Sequence, residues 1–291
     1  MRSLNTTSAL GRHNLAADAM QGAAAVRKEC GLDQHSAICI YDVCQTLGVS
    51  VRFNDIDMEG MYQKGARGII HLSSMRPLAR RAYNCAHELG HHYFGHGSVV
   101  HELRDRSAVP TWQNPDEFLA DTFAAHLLMP AIGLRGAFNK RGLDVNTASP
   151  EQLYVIACDF GVGYETLITH LSVGLGFLRQ ARATIVKKQG PKTIRQKLLG
   201  WDSSSPLIVA GKNRSNPNID AEVSTYILLP KDVFVEAGRL KPLGPVRNGS
   251  LFETQSPGPA KVITPNWSAT VRVSPKNFVG LAKFRHLEEA A

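Results

Sequence analysis

The stretch Ala86–Gly97, AHELGHHYFGHG, puts four histidines and a glutamate into twelve positions. Its core, His87-Glu88-Leu89-Gly90-His91, restricts the local backbone more than any other part of the chain. Residues four apart share one face of a helix, one turn apart, so His87 and His91 can bring two imidazole nitrogens to one ion only if this segment is helical. Glu88 directly follows the first histidine, where a carboxylate can reach a water on the ion without becoming a ligand. A zinc-bound water has a pKa of about 7, and Glu88 could then act as general base toward a peptide carbonyl. Ala82, Cys85, Ala86, Leu89, Tyr93 and Phe94 supply the apolar faces that such a helix needs.

A catalytic zinc needs a third protein ligand, and three residues compete for the place. His96 would follow the metzincin pattern, but Phe94 stands where that pattern has glycine and Gly97 where it has histidine. His92 follows His91 directly and diverges from it by about 100° on a helix, so the two do not share an ion. Glu117 opens EFLAD, 26 residues after His91, with Asp121 one turn later on the same face. That is the gluzincin arrangement, in which the aspartate can accept a hydrogen bond from the far nitrogen of a ligand histidine. Ala120, Ala124 and Ala125 allow close helix packing, and Phe118, Leu119, Phe123 and Leu127 supply core. Glu117 is the favoured ligand, and His92 and His96 are expected to be bystanders or supporting groups.

Around this motif the chain of 291 residues reads as α+β in two domains. Helices are expected over NLAADAMQGAAAVRKECGL and HSAICIYDVCQTLGV, and strands over SVRFN and GIIHLSS, residues 68–74. The helix after the polar loop at 98–114 begins at Pro115. Two short helices, the first capped by Ser149, span 149–175. Beyond about residue 185 come short β-rich runs: PLIVA, EVSTYILLP, AKVIT and ATVRVS. The expected division is a domain over 1–148, a helical pair and linker over 149–184, and a basic β-rich domain over 185–291.

Charge is unevenly spread. The net +8 divides into −2 over residues 1–171 and +10 over 172–291, which favours a polyanionic partner for the second half. Nucleic acid is the candidate polyanion, with Trp201, Tyr226, Phe252 and Trp267 as candidates for stacking on the bases of a single strand. The five cysteines (Cys30, Cys39, Cys44, Cys85 and Cys158) are scattered and never spaced C-x-x-C, so reduced thiols are expected. No run approaches the roughly 20 apolar residues of a membrane span, and the N-terminus does not read as a secretory signal, so a cytoplasmic address is expected.

ARRAYNCAHELGHHYFGH followed by EFLADTFAAHLLMP resembles the ImmA/IrrE family of zinc metallopeptidases over about residues 15–175. The resemblance implies a zincin-like catalytic domain, one zinc held by His87, His91 and Glu117, Glu88 as base, and a GAF-like C-terminal sensor domain. It also implies a substrate: a helix-turn-helix repressor, whose cleavage releases a stress, phage or antiviral-defence operon. The basic second half fits the CBASS-associated, CapP-like subgroup, which responds to single-stranded DNA. At the turn of the helical pair the chain has Val162-Gly163 where the family reads F-x-V-S, so packing or substrate docking is expected there, not DNA reading.

For an extended substrate, GIIHLSS is the expected edge strand, with His71 lining the cleft. Tyr93 and His126 are the candidates, by residue type, for stabilising the oxyanion. The alternative to the peptidase is a DNA-binding transcriptional regulator with a structural or vestigial zinc site. The intact Glu88 argues against it, because a structural site has no use for a base.

Overall fold

The computed structural model describes residues 9–65, 67–97, 99–101, 114–236 and 238–287. In chain order its elements are α1 (Ala9–Glu29), α2 (Ile40–Thr46), β1 (Ser50–Asn54), β2 (Gly60–Gln63), β3 (Ile69–Ser73), α3 (Leu78–Tyr93), β4 (Val99–His101) and α4 (Pro115–Leu128). There follow α5 (Ala131–Asn139), α6 (Pro150–Phe160), α7 (Tyr164–Thr169), α8 (Gln180–Lys187) and α9 (Pro191–Leu199). The strands β5 (Leu207–Val209), β6 (Asn218–Glu222), β7 (Tyr226–Leu229), β8 (Phe234–Val235) and β9 (Leu240–Val246) lead to β10 (Gly249–Thr254), β11 (Gly258–Thr264), β12 (Trp267–Ser274) and β13 (Gly280–Leu281). The loop expected at 98–114 contributes β4, and its residues 102–113 lie outside the described residues.

Two compact units emerge, each drawing on more than one part of the sequence. The first takes Met1–Gln34, Ile40–Ala131 and Val279–Lys283, and the second takes His35–Cys39, Ile132–Phe278 and Phe284–Ala291. The helices at 150–199 and the strands from Leu207 to Ser274 thus fall in one unit.

In the first unit a five-stranded sheet runs β13-β1-β3-β2-β4. Val51, Phe53, Ile70, Leu72 and Tyr62 are buried on its inner face, as the two-residue period of a strand requires. Leu15, Ala19, Ala23 and Val26 form the buried stripe of α1, at helical spacing. Arg27 at the end of that stripe is fully buried and donates from Nε to Leu127 O at 2.9 Å, tying α1 to the last turn of α4.

Two expectations are corrected here. GIIHLSS is not an edge: β3 pairs in parallel with β1 and antiparallel with β2. The extra strand comes from the glycine-containing segment before it, where Gly60–Gln63 pairs with both β3 and β4. The helix expected from His35 begins only at Ile40. Residues 35–39 belong to the second unit, where the Ala37 amide donates to Ser215 Oγ at 2.9 Å, and that long-range bond replaces a helical one.

In the second unit two four-stranded sheets, β5-β7-β10-β9 and β6-β12-β11-β8, close on one apolar core. Ile219, Ala221, Val262, Val271 and Val273 come from one sheet and Ile227, Leu229, Leu240 and Phe252 from the other. The expected cap of the first helix is present: Ser149 Oγ accepts from the Gln152 amide at 3.2 Å, and Gln152 Oε1 accepts from the Ser149 amide at 2.8 Å.

Candidate metal centre

Two helices of the first unit build the site. Asn114 caps α4, accepting from the Asp116 amide at 3.0 Å, and Pro115 sits in the first turn, so Glu117 projects from a well-fixed helix start. Opposite it, α3 carries His87 and His91 on one face. The helices approach closely because Gly90 has no side chain: a Cβ there would lie 3.0 Å from Ala120 Cα.

The ligand atoms converge as the sequence predicts. His87 Nε2 and His91 Nε2 are 3.1 Å apart, Glu117 Oε2 is 3.4 Å from His87 Nε2, and Glu117 Oε1 is 3.6 Å from His91 Nε2. A tetrahedral ion with bonds of about 2.0–2.1 Å sets its ligand atoms about 3.3–3.4 Å apart, so the donor set fits such an ion with little adjustment. Among the described residues these three form the His/Cys/Asp/Glu group with metal-binding proximity. His91 is fully buried, and the His87 and Glu117 side chains are 12% and 17% exposed, which leaves one side open to a further ligand.

Electrostatics favour a cation here. Burial works against a charged imidazole at His87, but the hydrogen bonds to Asp121 and Glu117 and the charges of Asp121 and Glu88 outweigh it and push the group up to about 10. Asp121 Oδ1 lies 2.9 Å from His87 Nδ1, leaving Nε2 directed at Glu117 and able to serve as a metal donor.

Glu88 is buried beside the ligands, 1% exposed, and rests against Gly60 of β2, where a Cβ would come within 2.8 Å of Glu88 Oε1. β2 is clamped to α3 at this point. Arg80 donates from Nε to Glu59 Oε2 at 2.8 Å and from Nη2 to Oε1 at 2.6 Å, and Asn84 Nδ2 donates to Glu59 O at 2.8 Å.

The remaining candidates fall elsewhere. His71 shares its sheet face with Met61, its register partner, whereas Gly60 and Tyr62 face α3. Its ring bonds to Asn54 Nδ2 and Gln63 Oε1, both at 3.2 Å, so it does not line the metal cleft. Tyr93 stacks on Phe123 with ring centroids 5.5 Å apart and borders Gly22 of α1, on the side of α3 turned from His91. His126 is buried nine residues beyond Glu117, half a helical circumference away and about 13 Å along the axis. Neither is brought to the ion as an oxyanion donor. His92 hydrogen-bonds Tyr62 Oη through Nδ1 at 2.8 Å and takes no part in the cluster.

Sequence reading missed Gly60 and Tyr83. Tyr83 lies one turn before His87 on the ligand face, and its hydroxyl donates to Asp121 O at 3.2 Å. Its signal was the four-residue step back from His87; Gly60 had none, because nothing local connects it with Glu88. Of the stacking candidates in the second unit, Phe252 belongs to the apolar core and is corrected; Trp201 is exposed, and Tyr226 and Trp267 are half-buried.

Residues 44–172 match the IrrE N-terminal-like domain of the M78 peptidases. No curated protein matches the chain. A solved structure of a Mycobacterium tuberculosis transcriptional regulator is similar at 17% identity and a TM-score of 0.35, over 55% of this chain and 46% of that one. The chain thus spans less than half the length of that regulator. His87, Glu88, His91, Glu117 and Asp121 all lie within the segment that matches the IrrE N-terminal-like domain of the M78 peptidases.

Proposed function

We propose that the chain is a zinc endopeptidase that cleaves a helix-turn-helix transcriptional repressor in the cytoplasm and so releases a stress, phage or antiviral-defence operon. The observation that carries the reading is the convergence of His87 Nε2, His91 Nε2 and the Glu117 carboxylate beside the buried carboxylate of Glu88. His87, His91 and Glu117 would hold the zinc. When bound, zinc supplies a Lewis acid and an acidified water. Glu88 takes the proton of the attacking water and passes it to the leaving amine nitrogen, while Gly60 leaves room for its carboxylate. Asp121 fixes the His87 ring. With β3 internal, main-chain docking of an extended substrate falls to the sheet edge at β4.

The second half is the regulatory part of this proposal, in the place that the resemblance gives to a GAF-like sensor. The net charge of +10 over residues 172–291 supports single-stranded DNA as its activating ligand, with the exposed Trp201 as a stacking partner. The same charge supports the second reading, a DNA-binding regulator with a structural zinc site.

The test is a cleavage assay with the zinc-loaded full chain, helix-turn-helix repressors encoded beside it, and single-stranded DNA present or absent. One cut that is lost in Glu88→Gln supports the peptidase. Cleavage that persists in Glu88→Gln sinks the mechanism, and salt-dependent DNA binding with no cleavage under any condition favours the regulator. Among the described residues no helix is long and apolar enough to cross a membrane.

A further inference from the structure

The end of α3 returns a third histidine to the metal ligands. Phe94 is its last half-helical residue, and Gly95 follows at φ +70. The Gly95 amide then donates to His92 O at 3.2 Å and the His96 amide to His91 O at 3.0 Å, the two reversed bonds of a Schellman turn. Because the chain doubles back over its own last turn, the His96 ring meets the His91 ring, with Nδ1 to Nδ1 at 2.8 Å. His96 Nε2 in turn lies 3.4 Å from Asp116 Oδ1, one residue before Glu117.

Only one arrangement of protons satisfies all these contacts together with a metal on His91 Nε2. His91 then carries its proton on Nδ1 and donates it, His96 Nδ1 accepts, and His96 Nε2 donates to Asp116. We infer that His96, backed by Asp116, is a positioning residue for the metal, holding His91 as Asp121 holds His87. Each imidazole ligand thus has its own support, one an anion and the other a neutral ring with an anion behind it. Ligand-spacing patterns miss this role because His96 stands at no ligand position.

The inference rests on the metal reading of His87, His91 and Glu117, and its test needs no substrate. Zinc affinity of the full chain is measured by chelator competition, together with the visible spectrum of the Co²⁺ form, for His96→Phe, His96→Asn and Asp116→Ala. Phe keeps a ring that can remain beside Phe94, whose centroid is 6.1 Å from that of His96, but it has no acceptor. We expect His96→Phe to bind zinc about 10–100-fold more weakly and to alter the Co²⁺ bands. His96→Asn, which can present an oxygen in place of Nδ1, should recover much of the affinity, and Asp116→Ala should lose less than His96→Phe. Wild-type affinity and an unchanged Co²⁺ spectrum in His96→Phe would overturn the role of His96. An equal loss in His96→Asn and His96→Phe, with matching falls in the melting temperature of the metal-free protein, would also overturn it. His87→Ala separates the two readings: if it too binds zinc normally, the metal centre itself is wrong.

Discussion

Asp121 Oδ1 lies 2.9 Å from His87 Nδ1, so a carboxylate from α4 holds the first histidine of the α3 cluster by the nitrogen turned away from Glu117. Such outer partners typically contribute a factor of about 10–100 in metal affinity. Asp121→Ala is expected to weaken zinc binding by that amount, and Asp121→Asn, which keeps an acceptor, by less. Zinc titration against a chelator measures both, and equal affinity in Asp121→Ala and wild type would show that the contact does not support the ligand.

Gly60→Ala separates catalysis from metal binding. Its Cβ would sit 2.8 Å from Glu88 Oε1 and 3.1 Å from Glu88 Cγ, so the carboxylate must move while His87, His91 and Glu117 are untouched. We expect the cleavage rate to fall at least about 100-fold, the lower end of what a general base contributes, with zinc affinity within about twofold of wild type. Unchanged turnover would place the base elsewhere.

The contact of α3 with α4 has no room for a larger side chain at Gly90. A Cβ there would meet Ala120 Cα at 3.0 Å and Phe123 Cδ1 at 3.2 Å. Gly90→Val should cost about 1–3 kcal/mol of stability by overpacking. It should also weaken zinc binding, because Glu117 is carried away from the histidines. Denaturant melts of metal-free protein and zinc titrations read the two effects separately.

In the second unit Asp220 gathers two guanidinium groups and an imidazole. Arg272 donates to its two oxygens at 2.7 and 2.9 Å, His286 Nε2 lies at 3.1 Å and Arg285 Nη2 at 3.5 Å. Burial opposes the charge on Asp220, but His286, Arg285 and Arg272 outweigh it and hold the carboxyl far below its usual range. A depressed carboxylate stabilises the fold fully above its unfolded value, about 3.9, and loses that contribution only as pH falls through the lower folded value. Asp220→Asn should therefore destabilise the protein by about 3 kcal/mol, the lower end for a broken buried pair. The difference from wild type should stay constant from pH 8 to about 5 and shrink only below about pH 4. A difference already gone at pH 6 would contradict this account.

The cluster of His87, His91 and Glu117, with Asp121 behind it, could be read from sequence because each pair depends on local spacing: His87 and His91 by one helical turn, and Glu117 and Asp121 by another. What escaped depends on long-range pairing. Gly60–Gln63 is a four-residue strand opening on glycine, with weak local preference, and its neighbours β3 and β4 impose the strand. Overlooking it turned β3 into an apparent edge and gave His71 a place in the cleft. Tyr93 and His126 were chosen by residue type alone, and their angular positions on α3 and α4 turn them away from the ion. The Schellman turn was legible in principle, since Phe94-Gly95-His96 has glycine where a helix end requires positive φ.

Strand β13 has a consequence for biosynthesis. It pairs with β1, Arg52 with Leu281 and Phe53 with Gly280, and so caps the β1 edge of the sheet in the first unit. A nascent chain that has already emerged through α4 still presents β1 with an unpaired row of main-chain amides and carbonyls. That row finds its mate only when residues 280 and 281 have left the ribosome. Chains cut short before residue 280 would keep the sticky edge, which makes aggregation of unfinished product the expected fate of any early stop.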